Sequence, residues 1–307
     1  MPEPIVYPLA PPNNLSCSNL LVRPDPDGTA LSVTPARASW RYLSFRAVAL
    51  ADGEPVDAGT HGQEAVVVTI AGGGVHVDPG AAHRPIDIPG RSSPFEALPW
   101  AVYLPAGPPA TVVGRPDGSG PDGHVIVAIA EAPPSGSHVA ANAPFVIGPD
   151  DVEIELRGAG SATRQINKIV RPESPADRLE VVEVLTPSGN WSSWPPHKHD
   201  RDDMPNEAVL EEIYYYRFRR RRAWGLQRVY RADRSRDCTF EVRDGDCVLV
   251  TDGYHPFAAA HGDDAYYLNA LAGDRRTMAA SFDPDLDWVR ESWSGMAPDP
   301  RVPLVGR

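Results

Sequence analysis

Short runs rich in valine, isoleucine, threonine and tyrosine recur along the chain, separated by clusters of proline, glycine and aspartate. Apolar positions alternate with polar ones or run unbroken for a few residues, and the spacing of an amphipathic helix is hard to find. The pattern predicts strands over 40–48, 64–70, 75–77, 101–104, 111–113 and 124–129. A second set is predicted over 152–156, 166–170, 179–185, 212–218, 226–230, 247–251 and 266–271. Connectors such as GRPDGSGPDG at 114–123 read as exposed loops. A seam near 143–150 separates two comparable strand sets, so the expected fold is all-β, with two antiparallel barrels or sandwiches over 1–147 and 148–307.

Composition narrows the function. At 307 residues with 42% apolar content, the chain can build one large core or two ordinary ones. A net charge of −12 argues against nucleic acid or an anionic membrane surface as partner. No segment has the apolar length of a membrane span. The opening MPEPIVYPLAPPNN lacks the basic start and apolar run of a leader, so a cytoplasmic location is expected. Three scattered cysteines, Cys17, Cys238 and Cys247, predict neither a disulfide nor a cysteine-based zinc site. Lysine occurs only at 168 and 198 in an arginine-rich chain, which hints that these two positions need a compact ammonium.

The chemistry concentrates in the second half. In Pro195-Pro196-His197-Lys198-His199-Asp200, alternation on an extended backbone aims His197 and His199 to one side and Lys198 to the other. Lys198 therefore reads as an ion-pair or interface residue. Glu212 in the strand EEIYYYRF shares a face with Tyr214 and Tyr216, and His255 follows in a tight Asp-Gly-Tyr-His-Pro turn. Three imidazoles and one carboxylate suit a divalent metal such as Zn or Mn, with Fe, Co or Ni also admitted. Asp203 is a rival acidic ligand at shorter spacing; Glu212 is favoured because it lies in a strand expected to pair with the His-x-His strand. His61, His76 and His83 are scattered, so the first half is expected to be structural.

These segments resemble the cupin superfamily, and within it the 5-deoxy-glucuronate isomerases of myo-inositol breakdown, relatives of the 4-deoxy-5-keto-uronate isomerases. The resemblance is carried by ATRQINKIV (162–170), ADRLEVVEVLTPSGNWSSWPPHKHD (176–200), LEEIYYYRF (210–218), LQRVY (226–230), DGYHP (252–256) and YYLNALAG (266–273). In the first half, LLVRP (20–24), SWRYLSF (39–45) and RSSPFEALPWAVYLPAG (91–107) contribute. It implies a bicupin whose second barrel holds one divalent metal on His197, His199, Glu212 and His255. It also implies an aldose–ketose isomerase acting on a small anionic sugar acid, converting 5-deoxy-D-glucuronate to 5-dehydro-2-deoxy-D-gluconate. Another deoxy-keto-uronate isomerase or a metal-binding cupin dioxygenase is the alternative. Candidate proton carriers are Tyr254, Tyr214 and Lys168; Arg164 or Lys168 is expected to meet the substrate carboxylate, and Gln227 a sugar hydroxyl. The fold admits a homodimer through strand edges.

Overall fold

A computed structural model describes residues 15–136 and 140–306; the opening segment read above for a leader lies outside them. Antiparallel strands dominate, and the α-helices among the described residues are single turns, such as Pro35–Ala38. None of these helices is long and apolar enough to cross a membrane. The first half forms a six-stranded sheet in the order Phe145–Ile147, Trp100–Leu104, Glu64–Ala71, Val125–Ala132, Ser44–Leu50, Ala30–Val33. A four-stranded sheet of Pro55–Ala58, Ala110–Pro116, Gly73–Asp78 and Ile86–Arg91 faces it across a valine-rich core that includes Val67, Val77 and Val112.

The second half repeats the plan. Its large sheet runs Leu21–Val22, Cys247–Val250, Leu210–Phe218, Ala265–Gly273, Leu179–Thr186, Arg164–Val170, Glu153–Arg157. A four-stranded sheet holds Trp191–Ser192, Phe257–Ala259, Trp224–Tyr230 and Asp237–Arg243. The first strand of the large sheet comes from the beginning of the chain, with Leu21 opposite Val248. The sequence pattern missed this crossing, because two residues carry no periodicity. It also missed Ile86–Arg91, where Pro89 interrupts an edge strand. The strand expected over 40–48 starts only at Ser44, because the chain first leaves a helical turn through Ser39 in the left-handed region at φ 55°.

The two large sheets lie back to back, which explains their unbroken apolar runs. In Glu64–Ala71 every residue is buried: Val67 faces its own barrel, while Val66, Val68 and Ile70 join a core shared with the second half. Phe45 meets Tyr215 there with ring centroids 5.6 Å apart. Two carboxylates clasp the halves reciprocally. Glu64 accepts the amides of Asp177, Arg178 and Leu179 at 2.6–2.8 Å, and Glu211 accepts those of Arg41, Tyr42 and Leu43 at 2.6–3.0 Å. A fully buried Arg91–Glu183 pair at 2.7 Å adds a third link.

The expectation of no disulfide is corrected. Cys17 and Cys238 are bonded, with Cα atoms 5.5 Å apart, although 221 residues separate them in sequence. Only the crossing of residues 17–22 onto the second barrel brings them together. Titration of unfolded protein with a thiol reagent should therefore count one reactive cysteine, Cys247, without reductant and three after reduction. Glu211→Ala strands three backbone donors and should lower the unfolding free energy by about 2–4 kcal/mol, read from urea denaturation.

Candidate metal centre

The inner face of the large second-half sheet builds the floor of a cavity. Paired residues in an antiparallel sheet point the same way, so the register assigns its lining. Glu180, Leu271 and Glu212 form one row, and Lys168, Val182, Asn269 and Tyr214 the next. The resulting cleft measures about 660 Å³ and is lined by Glu180 and Glu212 of the first row and by the whole second row, together with Arg164, Ser193 and His197.

At its end, donor atoms of His199, Glu212 and His255 lie within 4.8 Å of one another, all three residues buried. His199 Nε2 is 2.8 Å from a Glu212 oxygen and His255 Nε2 is 3.4 Å from the same atom. Each ring is aimed by its other nitrogen: His199 Nδ1 donates to the Leu210 carbonyl at 2.9 Å, and His255 Nδ1 to that of Gly253 at 3.0 Å. A carbonyl only accepts, so both Nδ1 atoms carry a proton and both Nε2 atoms are turned toward the carboxylate. Protonated, His199 Nε2 donates to Glu212; deprotonated, it offers a cation the same lone pair. The His255 Nε2 atom is buried without any hydrogen-bond partner. This donor set fits a divalent metal, and the group can hold one.

Burial, reinforced by the charge of the other two imidazoles, holds His197 well below the usual imidazole range; burial also pushes His255 down to about 4. Burial acts the same way on His199, but the bond to Glu212 and its charge outweigh it and raise that imidazole. His197 lies beside the three, its ring 4.6 Å from His255 and 6.3 Å from His199.

The supporting frame explains the sequence around the three candidate metal-binding residues. Lys198 points away from the cavity, to Asp200 at 2.6 Å and to both Glu207 oxygens at 2.7 and 2.9 Å. Asp200 in turn accepts the Gly253 amide at 2.8 Å, tying the two histidine segments together. Gly253 itself has φ 85°, and a Cβ there would strike the Tyr230 carbonyl. The His197–Lys198 strand pairs with Ser281–Phe282, not with the Glu212 strand as expected. Pro195 and Pro196 offer no amide to a longer ladder; contact with the Glu212 strand is kept by the Leu210 amide donating to the His199 carbonyl.

The other candidate residues divide. Arg164 lines the cavity, 5% exposed, with Nη1 donating to the carbonyls of Ala162 and Trp194 at 3.1 and 3.0 Å. No carboxylate among the described residues forms an ion pair with it, and burial lowers its pKa to about 10. Tyr214 lines the cavity and shares a 2.8 Å hydrogen bond with Ser193; burial first, then Glu212, pushes its phenol well above the usual range. Lys168 reaches the mouth but is paired with Glu153 at 2.6 Å and Glu155 at 3.0 Å, which raises its pKa and holds it charged, a poor base.

Tyr254 is not in the cavity. Next to His255 on an extended backbone it points the opposite way, against Tyr230 at 5.3 Å. Gln227 is also absent from the lining: fully buried, it donates to the His255 carbonyl at 2.6 Å and accepts from Tyr216. It positions the His255 backbone. Asp203 is exposed in the inserted loop, away from the metal group. Ser193, Asn269 and Glu180 also line the cavity and were not expected there. For Asn269 and Glu180 the signal was the alternation of their strands, legible only once the inward face is known; Ser193 follows a strand in the left-handed region at φ 49°, with no such signal.

Comparison with known proteins agrees with this architecture. The KduI/IolB family model matches residues 20–289. A 5-deoxy-glucuronate isomerase of Geobacillus kaustophilus is 41% identical over 270 residues, covering 88% of this chain and 93% of that protein. The 5-deoxy-glucuronate isomerase of Bacillus subtilis strain 168 is 34% identical over 84% of this chain and 92% of its own length. The crystal structure of an IolB-like protein from Salmonella typhimurium superposes with a TM-score of 0.79 at 34% identity, covering 88% of this chain and 99% of that one. An oxalate decarboxylase from Lactobacillus farciminis, at 11% identity and TM-score 0.56 over 90% of each chain, shares the fold alone, the expected two-barrel cupin architecture. By the span of the family model and by identity with these relatives, this chain belongs to the KduI/IolB family.

Proposed function

We propose that this protein is a metal-dependent aldose–ketose isomerase that converts 5-deoxy-D-glucuronate to 5-dehydro-2-deoxy-D-gluconate in myo-inositol breakdown. The observation that carries the reading is a cavity with a His–Glu–His group at one end and a buried guanidinium, Arg164, without a carboxylate partner on its wall. The names of the relatives supply the sugar acid. A divalent ion, Zn or Mn by preference, would be held by His199, Glu212 and His255 with His197 beside them. When bound, it supplies Lewis-acid stabilisation of the charge that develops on substrate oxygens.

The chain's own groups do the remainder. Arg164 offers its charge to the substrate carboxylate in a site where burial strengthens the attraction. Tyr214 and Ser193, protonated hydroxyls in mutual contact, orient sugar hydroxyls by donating or accepting. The Asn269 amide donates to the Ile213 carbonyl at 3.1 Å, which turns its oxygen toward the cavity as an acceptor. The flanking valines, Val182 and Val184, keep the wall dry. A cytoplasmic homodimer is the expected setting.

The deciding experiment is metal analysis of the purified protein together with isomerisation of 5-deoxyglucuronate, with a 4-deoxy-5-keto-uronate as competitor substrate and oxygen uptake as the control for a dioxygenase. His199→Ala and Glu212→Gln should retain their circular dichroism, lose bound metal by elemental analysis, and lose at least ~10²-fold in kcat/KM. Arg164→Met should raise KM by about 10–100-fold with kcat nearly unchanged, since the interaction it removes is with a part of the substrate that does not react. Full activity in a metal-depleted preparation would overturn the reading.

A further inference from the structure

We propose that Glu180 is the group that carries the proton between the two reacting carbons, an assignment that rests on the isomerase reading above. Every other buried glutamate among the described residues is engaged. Glu64 and Glu131 accept backbone amides, Glu183 pairs with Arg91, Glu207 with Lys198, and Glu212 with His199. Glu180 is 1% exposed, lines the cavity, and leaves both carboxyl oxygens without a hydrogen bond. Stranding a carboxylate this way is costly for folding alone.

Its position fits the task. Glu180 and Glu212 are both opposite Leu271, on strands that flank the Leu271 strand, so they share the inward face with one side chain between them. Strands two apart are separated by about 10 Å, enough for substrate carbons to lie between the carboxyl and the metal group. Arg276 faces Glu180 but spends Nη1 on the carbonyls of Ser174 and Ala176 and Nη2 on that of Arg171. Burial raises the Glu180 carboxyl to about 7; Glu173 adds to this, while Arg276, the Thr277 backbone and His199 oppose it. Lys168, in the neighbouring row, is neutralised by Glu153 and Glu155. A carboxyl poised near neutral both accepts and returns a proton.

In the forward direction the Glu180 carboxylate takes the proton from C2 of the open-chain aldehyde. The C2–H pair becomes the C1–C2 double bond, and the carbonyl π pair moves onto O1, giving an enediolate. The hydroxyl proton of O2 passes to O1. The Glu180 acid then returns its proton to C1 as O2 becomes the ketone oxygen. No oxidant or further reactant is needed.

The test compares wild type with Glu180→Gln, both metal-loaded, for turnover of 5-deoxyglucuronate, metal content and pH profile. The wild type should lose kcat as pH falls through about 7, because the carboxyl must be ionised to act as base. Glu180→Gln should keep its metal and its KM within about threefold yet lose ~10²–10⁴-fold in kcat, together with the acid limb. Glu180→Gln that keeps its metal and more than a third of wild-type kcat overturns the assignment alone; a metal-loaded wild type without turnover overturns the isomerase reading and this assignment together. Should Glu180→Gln not fold, Glu180→Asp decides. A reduced kcat with a displaced acid limb supports the role, and an unchanged kcat and limb rejects it.

Discussion

Two imidazole Nε2 atoms and a carboxylate oxygen lie buried within 4.8 Å of one another, and only a shared positive charge, a proton on His199 or a divalent cation, makes that proximity favourable. Much of the second barrel is arranged to impose that proximity. The carbonyls of Leu210 and Gly253 fix which nitrogen of each ring is protonated. Gln227 holds the carbonyl of His255 from behind. Lys198, through Asp200 and Glu207, ties the His197–His199 segment to the Gly253 turn. A guanidinium would be a poor substitute, since three short bonds converge on one nitrogen, which helps to explain a lysine in a chain that otherwise uses arginine.

The back-to-back sheets make this rigidity available. The central strands of each large sheet are buried on both faces, so they cannot slide by one residue without moving apolar groups out of one core and into the other. Leu210–Phe218 shows the consequence: Ile213 and Tyr215 anchor it to the first barrel while Glu212, Tyr214 and Tyr216 face inward. The reciprocal clasps of Glu64 and Glu211 fix the two barrels against each other. The first barrel carries no metal group among the described residues and acts as the wall behind the site.

Against that rigid frame, the cavity itself holds groups that are not satisfied internally. Arg164 lacks a carboxylate partner, Glu180 lacks any hydrogen bond, and His255 Nε2 is unpaired. Buried polar groups of this kind lower stability, and their grouping on one cavity marks where the fold gives up stability for chemistry.

Alternation and turn chemistry alone, read from the residues, determined that the chain is all-β, that most central strands lie where they do, and that His197 and His199 aim together while Lys198 turns away. Those features depend on neighbours two positions apart, so a linear pattern contains them. Tertiary structure decided everything that needed knowledge of which face is inward or which distant segments meet. Tyr254 looked like a site residue because it adjoins His255, and Gln227 because its amide suits a sugar hydroxyl, yet the backbone direction at His255 turns one away and the other is spent on a carbonyl. Glu180 is one of two glutamates in a largely apolar strand, and only the register that sets it across Leu271 from Glu212 brings it into the cavity. Cys17 met Cys238 for the same reason: the pairing of Leu21 with Val248 joins opposite ends of the chain, and no local periodicity encodes contact between residues so far apart.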